Sequence, residues 1–149
     1  MGSAGLARRV QLLRVRASDV RPLRHAVLRP HDPAHGLVLP RDDETDTAHF
    51  AFVDHTGRAV ACATILQEGA PGAWRIRGVA TAPELRGRGY GARVVGACVE
   101  HARAQGGRVA WLQTTPDVVP WYVKQGFRPE GDVFVIERGP RQKMVRTLA

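Results

Sequence analysis

Arg86, Gly87, Arg88, Gly89, Tyr90, Gly91 and Ala92 set three glycines and two arginines directly before a run rich in alanine and valine. A run of that kind begins a helix, whose first N–H groups have no partner inside it and carry the positive end of its dipole. Glycines take away the side chains that would block a ligand, and arginines add charge. The stretch therefore reads as a cradle for phosphate or pyrophosphate. It is not the lysine-bearing nucleotide loop, because no Gly-Lys-Ser or Gly-Lys-Thr occurs. Gly87, Gly89 and Ala92 spell G-x-G-x-x-A, but Gln113 and Thr114 stand where a dinucleotide fold would place an acid, about 20 positions on. The motif also lies past the middle of the chain, which leaves too few residues to complete a doubly wound sheet.

A turn of this kind needs a strand before it and a helix after it, and the sequence supplies both. "AWRIRGVAT" alternates arginines with Trp74, Ile76 and Val79, with a slip near Gly78 that predicts a bulge. Val94, Val95, Cys98, Val99 and Ala102 recur at helical spacing up to Gly106 and Gly107. Upstream, "ASDVRPLRHAVLRP" predicts a first helix, with Pro22 placed in its first turn. A proline-rich, acidic loop follows, and then "HFAFVD" and "AVACATILQE" form a hairpin around "HTGR". Downstream come the strand "RVAWLQT", the short helix "DVVPWYVKQ" and a final pair of strands, "VFVIE" and "KMVRTL". The expected fold is α/β (α+β): one domain over 1–149 with a mixed, mostly antiparallel sheet of about six to seven strands, flanked by helices. Residues 1–13 are expected to be a flexible N-terminus.

The chain has 149 residues, 44% of them hydrophobic, and a formal net charge of +8. Such a surface attracts anions: nucleic acid, an acidic membrane or a phosphorylated small molecule. No stretch approaches the roughly 20 apolar residues of a membrane span. Arginines interrupt the N-terminus wherever a signal peptide would need its apolar core, so a cytoplasmic protein is expected. Arg138, Arg141, Lys143 and Arg146 form a basic stretch near the C-terminus, but few aromatics and no recognisable nucleic-acid motif accompany it. Cys62 and Cys98 have no neighbours at metal-ligand spacing and read as small buried hydrophobes. His31 and His35 are four apart, yet Pro33 between them argues against a helical metal pair, and no metal is expected.

Arg86, Gly89 and Gly91 fit the Arg/Gln-x-x-Gly-x-Gly/Ala turn of the GNAT N-acetyltransferase superfamily, and Trp121, Tyr122, Lys124, Gly126 and Phe127 resemble its aromatic-Tyr-x-Lys-x-Gly-Phe segment. The resemblance runs from about Ala48 to the C-terminus. It implies an enzyme that uses acetyl-CoA as co-substrate and acetylates a primary amine on a small molecule or peptide. The pyrophosphate would lie on the turn from Arg86 to Ala92. The pantetheine arm would lie in a gap between the strands ending at Thr81 and Thr115, paired with backbone near Val79 and Ala80. Lys124 falls within the second motif and is assigned to the cofactor side. Tyr122 would protonate the departing thiolate.

The resemblance supplies no general base. Many members carry a glutamate on the strand before the turn, where this sequence has arginines. Asp42, Asp43, Glu44 and Asp46 precede His49, and such a cluster on a basic protein could attract a cationic amine and help deprotonate it. Asp43, Asp46 and His49 are accordingly the expected acceptor contacts. A non-catalytic acyl-CoA sensor or scaffold stays open beside the enzyme, as does a homodimer.

Overall fold

The computed structural model describes residues 10–33 and 36–148. Seven strands among them form one sheet in the order β1-β2-β3-β4-β5-β7-β6. They are β1 (Gln11–Val15), β2 (Ala48–Val53), β3 (Ala59–Gln67), β4 (Ala73–Thr81), β5 (Val109–Thr114), β6 (Arg128–Ile136) and β7 (Gly139–Thr147). The helices are α1 (Ala17–Leu28), α2 (Tyr90–Ala104) and α3 (Val119–Lys124). Every neighbouring pair of strands is antiparallel except β4 and β5.

β1 is an addition to the elements read from the sequence. Residues 11–13, expected to be flexible, pair in register with Val53, Phe52 and Ala51 of β2. Its alternation is hard to see because it is an edge strand, and Leu13 remains 44% exposed. A second correction concerns Pro22. α1 begins at Ala17, where the Arg16 N–H donates to the Asp19 carboxylate at 2.9 Å, so Pro22 falls in the second turn rather than the first.

The core lies where α1 and α2 cover the central strands. Val20 and Leu23 of α1, Val94, Val95, Cys98, Val99 and Ala102 of α2, and an almost wholly buried β3 make one cluster. Small residues line β3 (Ala59, Ala61, Cys62, Ala63), which lets the helices approach it closely. At about 25 cal/mol per Å² of apolar surface, this burial is the main stabilisation of the scaffold that holds the site.

Two irregularities in the sheet shape the site. Cys62 pairs with Ala80 while Thr64 pairs with Arg77, so Gly78 and Val79 together oppose the single residue Ala63. This is the expected bulge, and it bends β4 beside the helices. β4 and β5 pair only from Ala73 with Val109 to Arg75 with Trp111, although the strands run on to Thr81 and Thr114. Beyond Arg75 the sheet has opened into a cleft.

Candidate active site

A cavity of about 960 Å³ occupies this cleft. Val79, Ala80 and Thr81 of β4 line one side and Leu112 to Thr115 the other. Arg86, Gly87, Gly89, Tyr90, Gly91 and Ala92 close one end, and Tyr122 and Trp121 of α3 also face it. Most of the residues read as cofactor contacts therefore meet in one place. Arg88 and Lys124 are exposed and are not among the lining residues.

The backbone of the turn leaves space and N–H donors open to the cavity. Gly87 and Gly89 have φ of +79° and +83°, a left-handed conformation that costs an L-residue roughly 1–2 kcal/mol. A Cβ built at either meets nothing within 4 Å, so the space beside them is open for a ligand. Gly91 has a different reason to be glycine, since its Cβ would lie 3.3 Å from the Trp121 ring and 3.4 Å from the Thr81 hydroxyl. The first hydrogen bond of α2 runs from the Arg93 N–H to the Gly89 carbonyl, leaving the N–H groups of Tyr90, Gly91 and Ala92 without helical partners. Two left-handed glycines thus leave open space beside three unpaired donors.

Tyr122 is only 6% exposed, with its ring edge-on to Trp121 at 4.8 Å and to Phe127 at 5.8 Å between centroids. Burial pushes its phenol well above the usual tyrosine range, and the nearby Cys98 adds to the effect. The group stays protonated at neutral pH, as a proton donor must. Cys98 and Cys62 are themselves buried free thiols, and burial pushes the Cys62 thiol up to about 12. Neither is a nucleophile at neutral pH.

The acidic segment lies elsewhere. Asp43 bonds to Arg21 at 3.2 Å, Asp46 lies 3.6 Å from Arg41, and neither lines the cavity. His49 is 4% exposed, and both of its ring nitrogens are engaged, Nδ1 with Thr64 Oγ1 at 2.8 Å and Nε2 with the Asp42 carbonyl at 2.9 Å. Asp42 forms a two-pronged pair with Arg24 at 2.7 and 3.1 Å, and both side chains are almost fully buried. Asp42, His49, Arg24 and Thr64 form a hydrogen-bonded network under the bulge, and none of the expected acceptor contacts lines the cavity. Charge in a sequence does not reveal that local arginines already claim it.

The arginines of β4, by contrast, do reach the cleft. Arg75 and Arg77 line the cavity, joined by Arg29 from the end of α1 and Arg141 from β7. Their signal in the sequence was the alternation "WRIRG", which reads equally well as a solvated face. Among the described residues no Asp, Glu or His lines the cavity, and no group of three or more His, Cys, Asp or Glu could hold a metal ion. His35, one of the two histidines of the spaced pair, lies outside the described residues. No helix among the described residues is long and apolar enough to cross a membrane.

Comparison with known proteins agrees with this geometry. The family model for the acetyltransferase (GNAT) family matches residues 14–127. The chain is 26% identical over 128 residues to the uncharacterised N-acetyltransferase YitI of Bacillus subtilis, covering 82% of this chain and 85% of that protein. It is 30% identical over 97 residues to an amino-acid acetyltransferase of Ralstonia nicotianae, covering 63% of this chain but only 21% of that protein. The crystal structure of Escherichia coli ElaA shares the fold with a TM-score of 0.77 at 21% identity, covering 92% of this chain and 99% of that one. The family match takes in the bulge of β4, the glycine turn and Tyr122, and the chain belongs to the GNAT family of acetyltransferases.

Proposed function

We propose that the protein transfers an acetyl group from acetyl-CoA to a primary amine by direct attack. The observation that carries this reading is the cleft between β4 and β5, with the left-handed glycine turn at one end and Tyr122 on its wall. In this reading Tyr90, Gly91 and Ala92 hold the pyrophosphate through their N–H groups, and Arg86 adds charge. The bulged backbone at Val79 and Ala80 binds the pantetheine arm and polarises the thioester carbonyl. The amine nitrogen attacks that carbon, a C–N bond forms, the C–S bond breaks, and Tyr122 supplies the thiolate's proton.

No carboxylate or imidazole among the described residues faces the cleft to take the amine's proton. The cationic wall reduces that need. An ammonium beside Arg77, which no carboxylate pairs among the described residues, is disfavoured by like charge, so the acceptor enters more readily as the neutral amine. Water then takes the proton released after attack and returns one to the Tyr122 phenolate, so no net proton is lost or gained. The absence of a side-chain base also favours a second reading, a domain that binds acyl-CoA without turning it over.

Thiol release from acetyl-CoA with a panel of amines, alongside acetyl-CoA binding followed by thermal shift, separates the two. Amine-dependent release with binding supports the enzyme. Binding without release from any amine supports the sensor.

A further inference from the structure

The acceptor end of the cleft carries cationic groups with no anion to match them. Arg77 lies two residues before Val79, at the bulge where the acyl group would sit. Its Nε and Nη2 are buried and have no hydrogen-bond partner among the described residues. Burial depresses its pKa, the neighbouring Arg75 adds to that, and Asp42 and Glu68 oppose it from a distance. Neither acid is free to serve Arg77. Asp42 is held by Arg24 at 2.7 Å and Glu68 by Arg75 at 2.7 Å.

Also lining the cavity, Arg29 gives one hydrogen bond to the Leu28 carbonyl while its buried Nε has no partner among the described residues, and among those residues Arg141 bonds only to the Pro140 carbonyl. Asp32 is the acid that acts on Arg29, and it lies beyond ion-pair distance. Among the described residues no carboxylate pairs with Arg29, Arg77 or Arg141, and all three line the cavity. Holding a partly desolvated guanidinium without an anion is unfavourable, and a planar fork of donors is best matched by a carboxylate. The aliphatic lining from Val27, Leu28, Leu37, Leu39 and Ile136 would cover the rest of a small molecule.

We propose that the acceptor is an amino carboxylate, a small molecule whose primary amine lies within a few bonds of a carboxylate, and that Arg77 binds that carboxylate, with Arg29 and Arg141 of the same cavity adding positive charge. This rests on the acetyltransferase reading above and adds the charge of the acceptor to it. A carboxylate on Arg77 places the amine beside the bulge, in line with the thioester carbon. The same surroundings reject diamines and polyamines, whose second ammonium would meet the arginines.

The test is a matched panel in which each amino acid is paired with its decarboxylated amine: leucine with isopentylamine, phenylalanine with phenethylamine, lysine with cadaverine. Thiol release from acetyl-CoA gives kcat/KM for both members of a pair, and acetyl-CoA binding is followed separately by thermal shift. The wild-type protein is expected to prefer the amino acid by at least about tenfold in one or more pairs. Arg77→Met should collapse that ratio toward one, mainly through KM for the amino acid, while Arg77→Lys restores part of it. Both variants should keep the thermal shift with acetyl-CoA, which shows that they fold. Arg141→Met provides a second variant from another strand and should lower the ratio too. Release confined to the decarboxylated amines overturns the proposal and leaves the acetyltransferase reading standing, as does a preference for amino acids that neither methionine variant changes. Absence of release from every member of the panel overturns both.

Discussion

At the residue scale, the proposed reaction rests on Tyr122 and the glycines of the turn. Tyr122→Phe removes the phenol and keeps the ring that packs against Trp121 and Phe127. Folding and acetyl-CoA affinity should hold, while kcat falls roughly 10- to 1000-fold in a chemistry-limited assay, because the hydroxyl acts in the transition state. A variant with full kcat would reduce Tyr122 to packing. The same residue sets the pH profile. Because burial raises its pKa above the ordinary tyrosine value of about 10, the donor stays protonated through that range. The rate should climb as the amine deprotonates and show no descending limb below about pH 10. A rate–pH curve that falls between neutrality and that point would assign the proton to another group.

Gly78 and the network beneath it belong to the element scale. Gly78 has φ of +64°, and a Cβ there would lie 2.8 Å from Arg24 Nε. Gly78→Ala combines a left-handed strain of roughly 1–2 kcal/mol with displacement of a buried guanidinium. Calorimetric Tm should drop, and KM for acetyl-CoA should rise because Val79 and Ala80 are re-aimed. An unchanged KM would separate the bulge from cofactor binding.

Beneath the bulge, the Arg24 guanidinium donates to Asp42 and Thr64, the Thr64 hydroxyl donates to His49 Nδ1, and His49 Nε2–H donates to the Asp42 carbonyl. The Asp42 carbonyl can only accept, so Nε2 carries a proton, and the direction at Nδ1 is that of the neutral ring. Burial holds its pKa below the usual histidine value, with Arg24 and Arg21 lowering it further against the pull of Asp42. The unfolded chain takes up this proton near pH ~6.5 and the folded one resists, so the unfolded state binds more protons as pH falls, and stability declines below that point. His101, also depressed by burial and by Arg14, adds to the slope. Burial works against ionisation of Asp42, yet hydrogen bonds from Arg24 and the Leu39 N–H hold its carboxyl below the ordinary range. Its share of stability is lost only in more strongly acidic solution. Tm measured from pH 7 to pH 5 should fall, and His49→Gln should flatten part of that slope. Asp42→Ala leaves Arg24 buried and unpaired, at a cost of about 3–5 kcal/mol. A Tm independent of pH in the wild type would contradict the neutral-histidine network.

At the scale of the whole molecule, the parts of the fold that were legible in the sequence are those with strong local grammar. The helix α2, the hairpin of β2 and β3, the glycine turn and the bulge each follow from spacing or from residues that only one backbone shape requires. β1 escaped because an edge strand half open to solvent has no clean alternation. The placement of Pro22 failed because Asp19 caps the Arg16 N–H and the helix starts two residues earlier than a serine-led reading allows. The engagement of the acidic segment was hidden for two reasons. Arg21 and Arg24 reach Asp43 and Asp42 only once α1 and the loop fold together, and Arg41 takes Glu44 and Asp46 within the loop, a pairing that charge alone does not reveal. The cationic wall of the cleft was likewise written in "WRIRG" but had no meaning until β4 and β5 parted.

The central claim is that this cleft binds acetyl-CoA by its glycine turn and spends it on an amine. Its most direct measurement is thiol release from acetyl-CoA in the presence of amine, compared between the wild type and Gly89→Val. The wild type should release one thiol for each acetylated amine. The variant, with a side chain at φ +83° in the space meant for pyrophosphate, should keep its fold by circular dichroism and lose at least about tenfold in kcat/KM for acetyl-CoA. Wild-type release no faster than background hydrolysis, or equal rates in the two proteins, would contradict the account.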